Sequence, residues 1–423
     1  MGRPYERGRG YNLTMTGLIY AMIALGNATL TGVMSGWLLY FYLPPGGPAL
    51  VPAALFGVVM LASRALHIPL SRWMDERLRR GRKLPFLVGG AVFMPVLFGL
   101  LWTVPRGNMS TANLFILAVA LIAFNVASGV QVSAYESIST ELGTEKETQA
   151  AMANWRMIFL LAGNVLAGFA GPMIGRLGSA TSMWIFAAFS APFLILPGLL
   201  LRGKIDQDAQ PIERPAFWEH LKGALRKPAF RIFALTWGLM WLATTFTFET
   251  LPYIATEICK LDIAGTAYLY FAAVLVGLLV YPGVMWLAEK YGARRVFRGS
   301  LLAGAITMPG LMLIGGNIPV ALPVQGVVWI VLQSASLAGA QALPGALTAE
   351  MGVGDQSMAG NLIDQVASGV ALAIIPLFLV LGRGQFDAQG ALGVRLLGAA
   401  GGVMLLAAFV VFGKYQIEKV NTI

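Results

Sequence analysis

Long apolar stretches alternate with short polar ones from one end of the chain to the other. About 20 mostly apolar residues suffice to carry a helix across the hydrocarbon core of a bilayer. Twelve windows of that kind succeed one another: 14–43, 48–74, 85–104, 112–137, 148–174, 181–202, 229–257, 264–289, 296–315, 321–350, 357–382 and 390–413. The pattern predicts an all-α membrane protein of twelve transmembrane helices. The first window is too long, and its flank too lacking in a small-residue cleavage site, for a removable signal peptide.

Composition agrees. Of 423 residues, 57% are hydrophobic and only 12% charged, and mean hydropathy is +0.71. A soluble domain is nearer a quarter charged, so a water-facing surface of this size is excluded. The 50 glycines and 22 prolines suit packed membrane helices. A single cysteine, Cys259, excludes a disulfide framework and a cysteine metal cluster.

The net charge of +10 is unevenly spread. With the N-terminus in the cytoplasm, nearly all basic residues fall on that side. Arg3, Arg7 and Arg9 precede the first span, and Arg72, Arg77, Arg79, Arg80, Arg82 and Lys83 lie between the second and third. Arg202, Lys204, Arg214, Lys222, Arg226, Lys227 and Arg231 fill the central connection. Lys290, Arg294, Arg295 and Arg298 join the eighth and ninth spans, and Lys414 and Lys419 follow the last. Arg106, Arg176, Lys260, Arg383 and Arg395 are left for the other face. This is the positive-inside asymmetry, with both termini cytoplasmic and an inner (plasma) membrane location. The charge therefore reports orientation and anionic-lipid contact, not nucleic acid.

The longest polar connection divides the chain into 1–202, a linker 203–228 and 229–423. Two features repeat across it. Pro69-x-x-x-Trp73-x-Asp75-Glu76 with Gly81-Arg82 returns as Pro282-x-x-x-Trp286-x-x-Glu289-Lys290 with Gly292-x-Arg294-Arg295. Glu141-Leu142-Gly143 returns as Glu350-Met351-Gly352. Two six-helix halves joined by a cytoplasmic linker resemble the parallel repeat of the major facilitator fold, which implies a midplane site between them. The acids and arginines at these helix ends, Asp75, Arg82, Glu141, Glu289, Arg294, Arg295 and Glu350, form a candidate cytoplasmic gate.

Charges within lipid are costly and usually mark a pathway. At membrane depth the chain retains Arg64, Arg156, Glu136, Glu249 and Asp364, together with His67, its one histidine inside a span. Candidate solute-binding residues are Arg156, Arg64, Gln131, Tyr135, Asn27 and Trp241. Candidate coupling residues are His67, Ser63, Glu136, Glu249 and Asp364; His67 owes its place to a near-neutral titration range. Each has a plainer reading. Arg156 neutralises Glu136 or Glu141, Arg64 bridges to Glu136, and His67 is a hydrogen-bonded filler. Trp37, Tyr40, Trp155, Trp237, Tyr253 and Tyr268 are either cavity rings or interfacial anchors.

Several motifs resemble the glycoside–pentoside–hexuronide:cation symporters, the melibiose-permease-like family. They are Tyr20, Gly26 and Leu38-Leu39-Tyr40-Phe41-Tyr42 in the first span, and Trp73-x-Asp75 through Gly81-Arg82-Lys83-Leu84-Pro85-Phe86 after the second. Tyr135, Ser139-Thr140-Glu141-Leu142, Glu147-Thr148 and Arg156 follow, and Ala346-Leu347-Thr348-Ala349-Glu350 fits the second half. The resemblance implies a secondary active transporter of a sugar, glycoside or uronate, working as a monomer by alternating access. It carries Arg156 over as a solute-binding residue. Ala28 and Gln131 stand where that family has sugar-binding acids, and Ser63 and His67 stand at its cation-binding aspartates. Ser368 lies near the position of its helix XI lysine. Without those carboxylates, a hard-ligand sodium site is dismantled, which favours proton over sodium.

Two alternatives stay open. An amphiphile or lysophospholipid carrier of the same fold would need an apolar lateral opening between helices. A non-transporting assembly factor or scaffold would keep the fold without the site. Nothing in the chain suggests an enzyme, a cofactor or a resident metal: no nucleophile–base pair, phosphate-cradling glycine motif or metal-ligand spacing stands out.

Overall fold

In a bilayer the backbone must satisfy its own hydrogen bonds, so each apolar window becomes a helix, and prolines decide where it bends. The computed structural model describes residues 4–45, 50–78, 83–105, 110–142, 146–205, 217–316, 318–344, 346–347, 356–381 and 392–415. In chain order the helices of the first half are α1 (Pro4–Tyr42), α2 (Leu50–Ala65), α3 (His67–Leu78), α4 (Leu84–Leu101), α5 (Thr111–Leu142), α6 (Lys146–Gly168), α7 (Ala170–Leu177), α8 (Ser179–Leu200) and the short α9 (Arg202–Ile205). The second half continues with α10 (Phe217–Arg226), α11 (Pro228–Glu249), α12 (Leu251–Tyr253), α13 (Thr266–Tyr291), α14 (Ala293–Thr307), α15 (Leu322–Ala342), α16 (Gln356–Val380) and α17 (Leu392–Phe412). Among the described residues eleven helices are long and apolar enough to cross a membrane, and α2 is a shorter apolar helix. Among the described residues each of the twelve predicted windows holds helix, and the protein is an integral membrane protein.

Two windows that read as single helices are broken once each. The 48–74 window stops at Leu66 and resumes as α3, and the 148–174 window turns at Phe169 before α7. Each break lies three residues before a proline, Pro69 and Pro172. A proline has no N–H for the carbonyl four residues back, here those of Ala65 and Gly168, so the ladder lapses there. One consequence touches the candidate residues: Ser63 and Arg64 end α2 while His67 begins α3, so they do not share one uninterrupted helix. Pro252 and Pro309 act similarly after α11 and α14, where a π turn (Ile254–Ile258) and a 3₁₀ turn (Met308–Leu313) take over. Gly292, at φ +87°, ends α13 and lets α14 start at once.

Packing divides the chain into two compact units, Met1–Leu38 with Leu66–Ala216, and Leu39–Ala65 with Phe217–Ile423. In the first, α4 packs on α5 and α8, and α3 on α5, around Phe98, Trp102 and Phe124. In the second, α2 lies along α16, α11 packs on α16 and α17, and α15 on α13 and α14. The end of α1 joins this unit because the Tyr253 hydroxyl donates to the Leu43 carbonyl at 2.5 Å and lies 3.1 Å from that of Leu39. Hydroxyls at membrane depth bond back along their own helix: Thr236, Thr244 and Thr245 of α11 each donate to the carbonyl four residues earlier.

The α2–α16 contact depends on Gly57. A Cβ there would sit 2.7 Å from the Ala373 carbonyl oxygen and 3.1 Å from its Cα, both backbone atoms that cannot step aside. Small residues are what let membrane helices approach this closely. Gly57→Val is expected to lower stability by about 1–3 kcal/mol, read as a fall in the thermal midpoint of the detergent-solubilised protein. Gly277→Ala, where a Cβ meets nothing within 4 Å, serves as the neutral comparison.

Candidate functional site

Among the described residues, several of the candidate site residues fall into a polar cluster in each unit. In the first unit the cluster is built on α5 and α6, with α1 contributing a ring. Arg156 on α6 and Glu136 on α5 form an ion pair, Nη2 to Oε1 3.1 Å, with side chains 37% and 18% exposed. The Arg156 guanidinium also lies over the ring of Tyr135, 5.3 Å from its centroid. Tyr135 in turn stacks on Tyr20 of α1, centroids 4.3 Å apart and planes 18° from parallel, and the Tyr20 hydroxyl donates to the Tyr135 carbonyl. The fixed negative face of the stacked rings and the Glu136 carboxylate together hold a cation that lipid alone would not tolerate.

One turn earlier on α5 lies Gln131, fully buried, with neither amide atom hydrogen-bonded among the described residues. Gln131 and Tyr135 are four residues apart and so share a helix face. A buried amide with no partner loses about 1–3 kcal/mol relative to one that is satisfied. Asn27 on α1 repeats the theme, with its side-chain oxygen buried and unpartnered.

The second cluster lies where α2, α11, α13 and α16 meet in the other unit. Arg64 donates from Nη1 to the Gln365 side-chain oxygen at 2.7 Å, and a Cβ added at Gly369 of α16 would lie 3.0 Å from the Arg64 Cβ. Glu249, 3% exposed, lies near enough to act electrostatically on both Arg64 and Tyr270. Further along the α11–α16 contact, the Trp237 indole donates to Asp364, and the Thr245 and Ser368 hydroxyls are 3.4 Å apart. Trp241 meets Trp237 edge to face at 5.9 Å and leaves its indole nitrogen buried without a partner. Ser63 donates to the Met60 carbonyl of its own helix.

Glu136 is paired with Arg156, and Arg64 donates to Gln365. Tyr20 and Gln365 were not among the candidate site residues. Tyr20 is apolar in pattern, and Gln365 offered no signal beyond standing next to Asp364. Of the gate residues, Arg82 and Glu350 lie outside the described residues, and so do the side chains of Asp75 and Glu141 and that of the coupling candidate His67. Glu289 and Arg295 are exposed, while Arg294 lies over the Tyr415 ring at 5.3 Å. Among the described residues no group of three His, Cys, Asp or Glu could hold a metal ion.

Arg395 does different work. Its Nη1 turns to the carbonyls of Leu311, Met312 and Ile314, at 3.2, 3.2 and 2.6 Å, and so caps the 3₁₀ turn that ends the α14 span. Cys259 is buried nearby in sequence-distant company, against Gly326. Burial pushes its thiol up to about 11, and the charge of Arg395 offsets this only in part. At pH 7 roughly one molecule in ten thousand then carries the thiolate that alkylating reagents need. Iodoacetamide is expected to leave the folded protein unmodified at pH 7. Labelling followed by intact mass should rise only toward pH 11 or on unfolding.

The fold and the family agree. Over 96% of this chain and 100% of the other, the structure superposes on the nucleoside transporter NupG with a TM-score of 0.68 at 12% identity. A bacterial homologue of the iron transporter ferroportin, in an inward-facing state, matches over 96% and 98% with a TM-score of 0.67 at 16% identity. The peptide transporter POT, in complex with alafosfalin, matches over 95% and 94% with a TM-score of 0.67 at 14% identity. All three are transporters, not enzymes. An uncharacterised symporter of Synechocystis sp. is 26% identical over 162 residues, 36% of this chain. The matched part spans 29% of that relative's length. Proteins described as MFS/sugar transport proteins match residues 19–373. That match runs through most of the chain, and the protein belongs to the MFS/sugar transport family.

Proposed function

We propose that the protein is a secondary active transporter of a bacterial inner membrane, with both termini cytoplasmic, moving a small solute by alternating access. The solute class that best fits is a sugar, glycoside or uronate-like anion, and the coupling ion is a proton. The observation that carries this reading is the Arg156–Glu136 pair on the Tyr135–Tyr20 stack, beside a buried Gln131 amide with no partner.

The chemistry follows from competition for one guanidinium. Arg156 presents donors in a planar fork that suits a carboxylate, and a hydroxylated ring would use the same donors. Glu136 occupies them when the site is empty. A proton on Glu136 removes that competitor, and an anionic solute can then take its place, which ties solute binding to proton binding. Gln131 supplies both a donor and an acceptor for hydroxyls. The sugar-transport family and the symporter among its relatives support the class of solute and the coupled mode.

Reconstitution in liposomes with labelled sugars, uronates and lysolipids, under a proton or a sodium gradient, tests the reading. A proton gradient is expected to drive accumulation of a sugar or uronate. Arg156→Ala should reduce uptake roughly ten- to hundredfold, the loss of a charge-assisted hydrogen bond, with Arg156→Lys keeping part of it. Glu136→Gln should preserve solute counterflow while losing the response to the pH gradient. Sodium-driven uptake indifferent to pH would sink the proton, and uptake of lysolipid alone would replace the sugar by an amphiphile.

A further inference from the structure

A groove of about 360 Å³ runs between α4 and α5 in the first unit, walled by Pro85, Phe86, Phe93 and Leu97 on one side and Val126 and Val130 on the other. Two adjacent glycines make it. A Cβ on Gly90 would lie 2.6 Å from the Gln131 Cβ and 2.9 Å from the Ala127 carbonyl, so Gly90 lets the helices close. A Cβ on Gly89 would meet nothing within 4 Å, so Gly89 leaves the channel open beside that contact. From Pro85 to Leu97 the groove follows α4 for about 18 Å at 1.5 Å per residue.

Every lining residue is apolar, and the rim is open: Phe93 is 62% and Val126 36% exposed. Both helices have the length and composition of membrane spans. What meets such a surface at that depth is hydrocarbon.

The α4 N-terminal end of the groove is different. There Phe86 meets Trp73 of α3 edge to face at 5.6 Å, and the Arg77 guanidinium lies over the Trp73 ring at 5.7 Å. Trp73 is 44% exposed and Arg77 is exposed. Lys83, immediately before α4, is buried and donates to the Ser137 carbonyl at 3.2 Å. Among the described residues Arg77 is therefore the cation offered outward at that end. Tryptophan and arginine together at the end of a hydrocarbon groove match the boundary between acyl chain and headgroup.

We propose that this groove is a lipid site: one acyl chain of an anionic phospholipid lies between α4 and α5, and its phosphate is held at Arg77 beside Trp73. The proposal is independent of the solute carried. The bound chain would fill the space that Gly89 leaves and brace the face of α5 that bears Gln131.

The test uses the full chain, purified and exchanged into an equimolar mixture of phosphatidylglycerol and phosphatidylcholine, with retained lipid counted by native mass spectrometry. The wild type is expected to keep one phosphatidylglycerol in preference to phosphatidylcholine. Gly89→Leu, at a position where a Cβ meets nothing within 4 Å, puts a side chain into the groove and should lose that retained lipid of either kind. Arg77→Gln should still hold a lipid, with the preference for phosphatidylglycerol reduced about fivefold. Inorganic phosphate at millimolar concentration should displace nothing. Equal lipid retention in Gly89→Leu and wild type, an unchanged preference in Arg77→Gln, or displacement by phosphate alone would each overturn the proposal. Both substitutions fall at positions with open space or exposure, and an unchanged thermal midpoint verifies that each variant is folded.

Discussion

Lipid offers no hydrogen bonds, so every polar group the chain brings into the membrane must find its partner within the protein. The rest of the structure follows from that demand. Backbone groups meet it by forming helices, and where a proline withholds its N–H the ladder breaks, as at Leu66 and Phe169. The threonines of α11 meet it by donating back to their own helix. Charged and amide side chains cannot do so alone, which is why Arg156, Glu136, Arg64 and Asp364 are all engaged with groups on other helices.

Against that background the groups left unsatisfied are informative. Among the described residues, the Gln131 amide, the Asn27 side-chain oxygen and the Trp241 indole nitrogen are buried polar atoms without a hydrogen-bond partner. In a soluble domain water would often serve such atoms. At membrane depth a protein that keeps them keeps a cost, which the polar solute of the proposed function would remove. Arg395 is used differently: its Nη1 is directed at the carbonyls of Leu311, Met312 and Ile314 and caps a turn.

Much of the fold was legible. Among the described residues each of the twelve apolar windows holds helix, and the prolines that interrupt some of them stand in the sequence, although only the tertiary structure showed which prolines act. The candidate site was legible residue by residue but not as pairs. Arg156 and Glu136 lie on successive spans, and their pairing stood among the sequence alternatives. Arg64 and Gln365 are 301 positions apart, and Trp237 and Asp364 are 127 apart. Nothing local announces such partners. The groove between α4 and α5 was equally invisible, because it depends on which of two adjacent glycines faces the neighbouring helix.

By itself, then, the sequence determined that the chain lives in a membrane, how many times it crosses, and which few charges it carries to that depth. Each of these is set by transfer from water, a quantity that sums along the chain. Only the tertiary structure decided which charge meets which partner and which glycine closes a contact or opens a groove. The physical reason is that lipid and protein interior are alike in polarity. A membrane helix has no wet face to orient it, so its rotation and neighbours are chosen by close packing and a few polar pairs between distant segments.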